Sequence, residues 1–287
     1  MVGTTVLITG ANQGIGKATA MELARLGAKL VMISRNEAKG KAALEEVRAV
    51  ANGDAPELLV ADLASLADVR RVAGDFRRTH DRLDVLLNNA GLIVPDRRTT
   101  IDGIEETFAV NHLAPFVLTD ELLDLVRATA KLAGSARIVN VSSTAHRRAT
   151  MHWDDLELRK GYGPFKAYSQ SKLANILFTY ELARRLAGTG VTANCLHPGV
   201  IASGFGKTYG GALSVVLKLM KPFLGSPEEG ARTSVYLASS PDVAGVTGKY
   251  FDKCKAVRSN AVSYDEASWV RLWEVSEGMT SKQAAAA

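Results

Sequence analysis

Cysteine is scarce in this chain, and long apolar runs are missing. The 287 residues include two cysteines, Cys195 and Cys254, which are far apart and lack the short spacing of metal-binding or redox pairs. Neither a disulfide framework nor a metal site is therefore expected, and a reducing cytoplasm is the predicted location. No run reaches the ~20 apolar residues of a membrane-spanning helix. No charged leader precedes the first apolar stretch, so no signal peptide is predicted.

Basic residues outnumber acidic ones only slightly. The formal net charge is +5, and arginines occur as short pairs, such as Arg70-Arg71 and Arg184-Arg185, in segments that also carry acids. This dispersed pattern is typical of solvated helix faces, so no nucleic-acid partner is predicted. A few of these cations would suffice to hold an anionic cofactor. With 47% hydrophobic residues, the chain can bury a large core as one α/β domain or as two.

Short β-branched runs alternate with longer helical stretches along the chain. The strand-like runs cover residues 5–9, 29–34, 57–61, 85–88, 137–142 and 192–197. Parallel strands need crossover connections of about a dozen residues, and right-handed crossovers place helices on both faces of one sheet. The pattern predicts a doubly wound α/β fold, with its ligand site beyond the carboxyl ends of the strands.

A glycine-rich stretch follows the first strand-like run. Glycines remove Cβ atoms where a backbone must reverse and approach a pyrophosphate closely. The helix that begins near Gly14 would direct its free amides and positive dipole end at the phosphates. Glycines at a helix start also occur in ordinary turns, so the stretch taken alone allows both interpretations. The predicted cofactor-binding residues of this turn are Gly10, Asn12, Gln13, Gly14, Ile15 and Gly16.

The residues after the second strand-like run bear on the choice of cofactor. An acid at this point would accept hydrogen bonds from an unphosphorylated ribose, but the chain has Ser34, Arg35 and Asn36. The Arg35 guanidinium can pair with a 2′-phosphate. NADP(H) is therefore predicted in preference to NAD(H). Alternatively, Arg35 is a solvent-exposed residue that opens the next helix, and Lys17 or Asn36 assists.

Tyr168 and Lys172 stand one helical turn apart. At this spacing both side chains share a helix face. A free phenol has a pKa near ~10 and is a weak base at neutral pH, so we expect the positive charge of Lys172 to lower the pKa of Tyr168. The pair could then serve as a general acid and base on a carbonyl oxygen. Taken alone, the same spacing is also common on helix surfaces.

These motifs, in this order, resemble those of the short-chain dehydrogenase/reductase family. The resemblance is carried by the glycine spacing Gly-x-x-x-Gly-x-Gly, by Asn88-Asn89-Ala90-Gly91 and by the pair Tyr168 and Lys172. The segment 165–175 is similar to the retinol dehydrogenase-like branch. The resemblance implies a single Rossmann-type domain over 1–278, with a mostly parallel seven-stranded sheet. It also implies a substrate lid near 200–225, and the tail 279–287 is expected to be frayed.

The resemblance also assigns roles to single residues. It implies that Ser143 hydrogen-bonds the substrate oxygen, with Ser142 as the alternative, and that Asn111 holds a water near Lys172, which also grips the cofactor ribose. Asp62 matches the residue that binds the adenine, although it could instead cap the following helix. Further cofactor-binding residues implied by the resemblance are Leu63, Asn89, Ala90, Gly91, Tyr168, Pro198, Gly199, Val200 and Ser203.

The predicted function is NADP(H)-dependent interconversion of a carbonyl and an alcohol. Leu213, Leu217 and Met220 form an apolar helical stripe in the implied lid, which favours a hydrophobic small-molecule aldehyde or ketone. Core packing or contact with a membrane surface would also explain the stripe, and any membrane contact is expected to be peripheral. A light-dependent tetrapyrrole reductase and a non-catalytic NADP(H)-sensing protein are the alternatives. The formation of a homo-oligomer is left open by the sequence.

Overall fold

Parallel β-strands form the centre of the molecule. The computed structural model describes residues 1–199 and 225–284. The strands in these ranges are β1 (Thr5–Thr9), β2 (Lys29–Ser34), β3 (Glu57–Val60), β4 (Val85–Asn88), β5 (Ala136–Val141), β6 (Val191–His197), β7 (Tyr250–Asp252) and β8 (Lys255–Val257). They form one sheet in the order β3-β2-β1-β4-β5-β6-β7-β8. The first seven strands are parallel, and β1, β4 and β6 are buried along their whole length because helices cover both faces.

The predicted Rossmann-type fold is confirmed, and its strand number is corrected. The six strand-like runs of the sequence match β1 to β6 within one residue at each end. Seven strands are expected, whereas the described sheet has eight. The additional strand, β8, returns antiparallel to β7 through a two-residue turn, in which Lys253 and Cys254 have positive φ angles of 49° and 61°. All three β8 residues are exposed, so the sequence carries no burial pattern that would predict this strand.

Helices cover both faces of the sheet. They are α1 (Gly14–Arg25), α2 (Glu37–Arg48), α3 (Leu66–Thr79), α4 (Glu106–Phe108), α5 (Ala114–Ala133), α6 (Pro164–Arg185), α7 (Pro227–Ser239) and α8 (Glu266–Ala284), with a π-helix (Ala109–Leu113) between α4 and α5. Successive strand side chains point to opposite faces: Val6 and Ile8 join the core under α1, α2 and α7, while Leu7 joins the core under α3, α5 and α6. None of the helices in the described ranges has the length and apolar character to cross a bilayer.

The C-terminal helix α8 packs against α5 and α6, on the face of the sheet that carries Leu7. The Trp273 ring centroid lies 5.0 Å from that of Phe116 on α5 and 5.8 Å from that of Phe178 on α6. Further along α8, Thr280 is buried, and its carbonyl accepts a hydrogen bond from Arg70 Nη2 at 3.1 Å. The helix thus continues beyond residue 278, and the domain bounds 1–278 and 279–287 stay a prediction.

The substrate lid predicted near 200–225 lies almost wholly outside the described residues. Val200, Ser203 and the stripe of Leu213, Leu217 and Met220 all fall between residues 200 and 224. The residues that precede them, Pro198 and Gly199, directly follow β6 and are described.

The strand order reverses at β1 and β4. β1 pairs with β2 on one side and with β4 on the other, so the chain winds away from this point in both directions. In doubly wound sheets, the carboxyl ends of the strands enclose a ligand crevice at such a point. The turn that follows β1 and the loop that follows β4 lie at this place, which is where the predicted cofactor-binding residues stand.

Candidate active site

A cleft of about 370 Å³ opens at the carboxyl ends of the central strands. Its walls come from the turn after β1, the residues after β2 and β3, the loop after β4, the end of β5 and one face of α6. The predicted cofactor-binding residues that line it are Gly10, Asn12, Gln13, Gly14, Ile15, Gly16, Arg35, Asp62, Leu63, Asn89, Ala90, Gly91, Tyr168, Lys172 and Pro198. The fold therefore brings residues from most of the chain to one surface.

The glycine turn has the geometry that a bound pyrophosphate requires. Gly10 and Gly14 adopt left-handed φ angles of 68° and 55°, which favour glycine. A Cβ on Gly16 would overlap the Gly10 carbonyl oxygen and the Asn89 amide nitrogen. At the start of α1, the Gln13 side chain forms no capping hydrogen bond, and the first turn of this helix contains no acid. Its amides are thus free to bind an anionic group, and the residues present fit a dinucleotide.

The loop after β4 is bonded to the glycine turn. The Thr9 hydroxyl accepts hydrogen bonds from the backbone amides of Asn89 at 3.0 Å and Ala90 at 2.9 Å. In return, Asn89 Nδ2 donates to the Thr9 carbonyl at 2.8 Å. Asn88, the last residue of β4, instead directs its side chain into the sheet, where its Nδ2 donates to Asn140 Oδ1 at 2.8 Å. The Asn88–Gly91 motif therefore fixes the shape of the cleft floor.

Arg35 and Asp62 lie together at the outer end of the cleft. Arg35 Nη1 is 3.9 Å from Asp62 Oδ1, and the two side chains are 64% and 46% exposed. An ion pair this long and this exposed contributes little to stability, so Arg35 can turn toward another anion. Asp62 Oδ1 accepts a hydrogen bond from the Ala64 amide, and the N-cap of α3 is Ser65. Asp62 is therefore not the helix cap that the sequence left as an alternative.

Other residues predicted near the ribose do not line the cleft. Ser34 is buried, and its hydroxyl donates to the Asn36 carbonyl at 3.1 Å. The Asn36 side chain caps α2 by accepting the Lys39 amide hydrogen at 2.9 Å. Lys17 Nζ forms an ion pair with Glu46 at 2.6 Å. Of the candidate cations Arg35 and Lys17, only Arg35 contacts the cleft.

Tyr168 and Lys172 occupy successive turns of α6. Lys172 Nζ lies 5.6 Å from the centre of the Tyr168 ring and donates a hydrogen bond to the Val141 carbonyl at 2.9 Å. The lysine is 2% exposed, and burial lowers its pKa to about 8. At neutral pH the ammonium form therefore still predominates, but with a smaller margin than in water.

The Ser143 side chain interacts with the Tyr168 hydroxyl and favours its ionised form. Tyr168 is half-buried, and desolvation raises its pKa while the Ser143 side chain opposes the rise. The expectation that Lys172 lowers the pKa of Tyr168 is thus wrong, because burial has the largest effect and raises this pKa. Ser142, the alternative to Ser143, lines the cleft, whereas Ser143 is not among the lining residues. The Ser142 hydroxyl donates to the Lys172 carbonyl at 2.7 Å and so holds the helix backbone, and the choice between the two serines stays a prediction.

Asn111 connects the loop after β4 to α6. It lies in the π-helix Ala109–Leu113, an irregularity often found at functional sites. Its Oδ1 accepts the Leu92 amide hydrogen at 2.8 Å, and its Nδ2 donates to the Leu92 carbonyl and to Ser171 Oγ, both at 2.9 Å. A Cβ on Gly91 would lie 3.2 Å from Lys172 Nζ and 3.4 Å from Asn111 Oδ1, so the glycine allows their close approach. The water-holding role of Asn111 stays a prediction.

Known proteins resemble this chain in sequence and in fold. The model of the short chain dehydrogenase family matches residues 4–211. The chain belongs to this family. Retinol dehydrogenase 14 of Homo sapiens is 44% identical over 97% of this chain and 87% of its own length. Polyprenol dehydrogenase of Homo sapiens is 40% identical over 96% of this chain and 84% of its own length.

A solved structure extends the likeness to three dimensions. The Pseudomonas aeruginosa RhlG/NADP active-site complex superimposes with a TM-score of 0.71 and 26% sequence identity, covering 88% of this chain and 94% of that chain. The likeness to retinol dehydrogenases agrees with the branch that segment 165–175 predicts. The chain is thus an oxidoreductase of the short-chain dehydrogenase family, related to retinol dehydrogenases.

Sequence reasoning missed several apolar members of this short-chain dehydrogenase's cleft. The additional lining residues are Ile33, Ala61, Leu92, Ile93, Val110 and Val141. Ile33, Ala61 and Val141 stand at or directly after a strand end, so their position along the strands could have indicated them. Leu92 and Ile93 directly follow the Asn88–Gly91 motif, and Val110 lies in the π-helix. The sequence does not distinguish these three apolar residues from core residues. Gly199, which has a φ of 93°, does not line the cleft.

Proposed function

We propose that the protein is an NADP(H)-dependent oxidoreductase that interconverts a carbonyl and an alcohol on a hydrophobic small molecule. The observation that carries this proposal is the grouping of Tyr168 with Lys172, on the next turn of the same helix, and with Ser143, whose side chain interacts with the Tyr168 hydroxyl. Tyr168 and Lys172 line a cleft whose other end fits a dinucleotide. A regulatory protein that only senses the cofactor would have no need of this proton-transfer set.

Ser143, Tyr168 and Lys172 have different roles in the proposed carbonyl reduction. Ser143 donates a hydrogen bond to the substrate oxygen, and Tyr168 delivers a proton to the same oxygen. The Lys172 ammonium stabilises the phenolate that remains, and the Val141 carbonyl holds that ammonium in place. When bound, the nicotinamide supplies the hydride in this direction and accepts it in the reverse one.

Arg35 supports NADP(H) over NAD(H). It lines the cleft after β2, where a carboxylate would be needed to bind an unphosphorylated ribose, and its long contact with Asp62 leaves the guanidinium available. Solved relatives include the RhlG/NADP complex. A charge-assisted hydrogen bond contributes about 1.5–3 kcal/mol, so Arg35 alone accounts for a preference of roughly 10- to 100-fold.

The relatives suggest the class of substrate. Retinol and polyprenol, in the names of the two human relatives, are both apolar alcohols. We therefore place isoprenoid and other bulky hydrophobic aldehydes and ketones first among the candidate substrates, because burial of apolar area supplies most of the binding energy of such ligands. The subunit number, peripheral membrane contact and a cytoplasmic location stay predictions.

The decisive assay follows oxidation of NADPH and of NADH with a panel of aliphatic, aromatic and isoprenoid aldehydes and ketones, in darkness and in light. We expect turnover in darkness, with NADPH preferred. Tyr168→Phe should bind NADPH normally but lose at least ~10²-fold in kcat. If this variant kept most of the turnover, the role of Tyr168 would be wrong, and a requirement for light would favour the tetrapyrrole alternative.

Two further variants test the cofactor choice. Arg35→Asp should raise KM for NADPH by roughly 10- to 100-fold and leave KM for NADH near its original value. Lys17→Ala is the matched control, because Lys17 pairs with Glu46 outside the cleft, and its cofactor preference should stay unchanged. Equal rates of the wild type with both nucleotides would contradict the proposed role of Arg35.

A further inference from the structure

The position of Ser143 depends on the turn that follows it. β5 ends at Val141, so Ser143 lies beyond the ladder hydrogen bonds and opens a 3₁₀ turn, Thr144–Arg148. Inside the turn, Ser143 Oγ accepts the Ala145 amide hydrogen at 3.2 Å, and the Ser143 carbonyl is within 2.5 Å of His146 Nδ1. These bonds set the shape of the turn but not its place in the molecule.

The side chain of Asn260, which is distant in sequence, fastens this turn to another part of the fold. Asn260 Nδ2 lies within hydrogen-bonding distance of three carbonyl oxygens, those of His146 at 3.0 Å, Arg147 at 3.2 Å and Ala149 at 3.1 Å. The Asn260 Oδ1 atom accepts the Val262 amide hydrogen at 3.2 Å, which orients the amide group. A second tie, from the Thr144 amide to His197 Nδ1, is longer at 3.3 Å. Among the described residues, His146 Nε2 has no hydrogen-bond partner and adds none.

The segment that carries Asn260 is also bonded to the catalytic helix. Ser259 Oγ is 2.8 Å from the Tyr180 hydroxyl, and Tyr180 lies on α6, three turns after Tyr168. Ser263 Oγ donates to the Asn260 carbonyl and is 2.6 Å from Ser259 Oγ. Ser259, Ser263 and Tyr180 are all buried. One short segment therefore contacts both the turn of Ser143 and the helix of Tyr168.

We propose that Asn260 is a positioning residue that sets the place of the Ser143 hydroxyl relative to the Tyr168 hydroxyl. The inference rests on the proposed function. The side-chain amide of Asn260 bonds the carbonyls of the turn to a segment that is itself bonded to α6. The hydroxyls of Ser143 and Tyr168 would therefore keep a fixed separation. Small displacements of a reacting group reduce turnover strongly. Asn260 itself does not line the cleft.

A double-mutant cycle with Ser143 tests this role. Asn260→Ala and the isosteric Asn260→Asp, which sets a carboxylate against three carbonyls, should each lower kcat about tenfold, while the Kd for NADPH stays unchanged. In the Ser143→Ala background, the same substitutions should have no further effect on kcat, because the group they position is gone. If Asn260→Ala lowered kcat by the same factor in both backgrounds, Asn260 would not act through Ser143.

Asn194→Ala is the matched control. Asn194 also clamps a loop to the sheet, through bonds with the Val246 carbonyl at 2.6 Å and the Lys249 amide at 3.1 Å, but it lies outside the cleft. This variant should lower Tm without the Ser143-dependent loss of kcat. If Asn260→Ala did not fold, Asn260→Gln, which keeps the amide group and moves it by one methylene, would enter the same cycle.

Amide hydrogen exchange gives a readout that is independent of turnover. Exchange of the peptide covering residues 143–149 should become faster in Asn260→Ala and stay unchanged in Asn194→Ala. Unchanged exchange in Asn260→Ala would overturn the positioning role even in an active enzyme. If instead the wild type reduced no carbonyl on the panel while exchange still accelerated, the proposed function would fail, and Asn260 would hold the turn without a role in catalysis.

Discussion

Lys172 is anchored to Val141: the lysine Nζ donates a hydrogen bond to the Val141 carbonyl at 2.9 Å. Asn175 Nδ2 donates to the same carbonyl at 3.3 Å, so both lone pairs of this oxygen are used. The bond joins the last residue of β5 to the helix that carries Tyr168. It also keeps the ammonium away from bulk water, and this burial is the reason for the lowered lysine pKa.

The first prediction concerns the pH dependence of turnover. Burial lowers the pKa of Lys172 to about 8, so we expect kcat/KM for carbonyl reduction with NADPH to fall above this pH. The deprotonated lysine no longer stabilises the phenolate that Tyr168 becomes. Initial rates between about pH 6 and pH 10 measure the profile. Lys172→Arg, whose side chain stays charged, should lack this decline, whereas a wild-type profile flat to about pH 9.5 would contradict the prediction.

The second prediction concerns stability. Because the pKa of Lys172 falls from 10.5 in the unfolded chain to about 8 in the fold, the unfolded chain binds more protons between these pH values. This group therefore makes the free energy of unfolding rise with pH across that window, by on the order of 3 kcal/mol in total.

Lys172→Met isolates this contribution. Urea unfolding of the wild type and the variant at about pH 7.5 and pH 10.5 should show the wild type gaining stability relative to the variant as the pH rises. Other groups titrate in both proteins and cancel in the comparison. A stability difference that is the same at both pH values would show that the lysine keeps its ordinary pKa in the fold.

Much of the fold could be predicted because most of its central strands (β1, β2, β4, β5 and β6) are almost wholly buried. Continuous apolar runs such as Val6-Leu7-Ile8 predict β1 to β6, and their spacing predicts the crossover helices. β7 and β8 have three residues each, too few to show a period, and β8 is exposed. Their pairing depends on a turn with positive φ at Lys253 and Cys254, where neither residue type indicates such a conformation.

The candidate site divides in a similar way. Gly10, Tyr168 and Lys172 could be predicted because their chemistry restricts which residue can serve at each position. The π-helix around Asn111 has no signal in the sequence, since it differs from an α-helix only in hydrogen-bond register. Asn260 could not be predicted at all, because its contacts with the Ser143 turn join residues more than a hundred positions apart.

The third prediction separates the two serines at the end of β5. Ser143→Ala should lower kcat by about 10²-fold with little loss of stability, because it removes the hydroxyl that is proposed to bind the substrate oxygen beside Tyr168. Ser142→Ala should instead lower the free energy of unfolding by about 1–3 kcal/mol, because Ser142 donates to the buried Lys172 carbonyl. Steady-state kinetics and urea unfolding on both variants measure the two effects. The reverse assignment, with Ser142→Ala inactive and Ser143→Ala active, would identify Ser142 as the residue that binds the substrate oxygen.

The fourth prediction concerns the backbone of the nucleotide turn. In Gly16→Ala, the new Cβ would overlap the Gly10 carbonyl oxygen and the side-chain Nδ2 of Asn89, which is itself hydrogen-bonded to the Thr9 carbonyl. The turn and the Asn88–Gly91 loop must then separate, so we expect the Kd for NADPH to rise at least ~10-fold. Gly74→Ala is the matched control: it lies within α3, where a Cβ would meet only Arg78 Nη1 at 3.9 Å. This variant should bind NADPH normally and gain up to ~1 kcal/mol in stability, because alanine favours the helix. Quenching or enhancement of NADPH fluorescence measures binding, and normal affinity in Gly16→Ala would show that this turn does not hold the pyrophosphate.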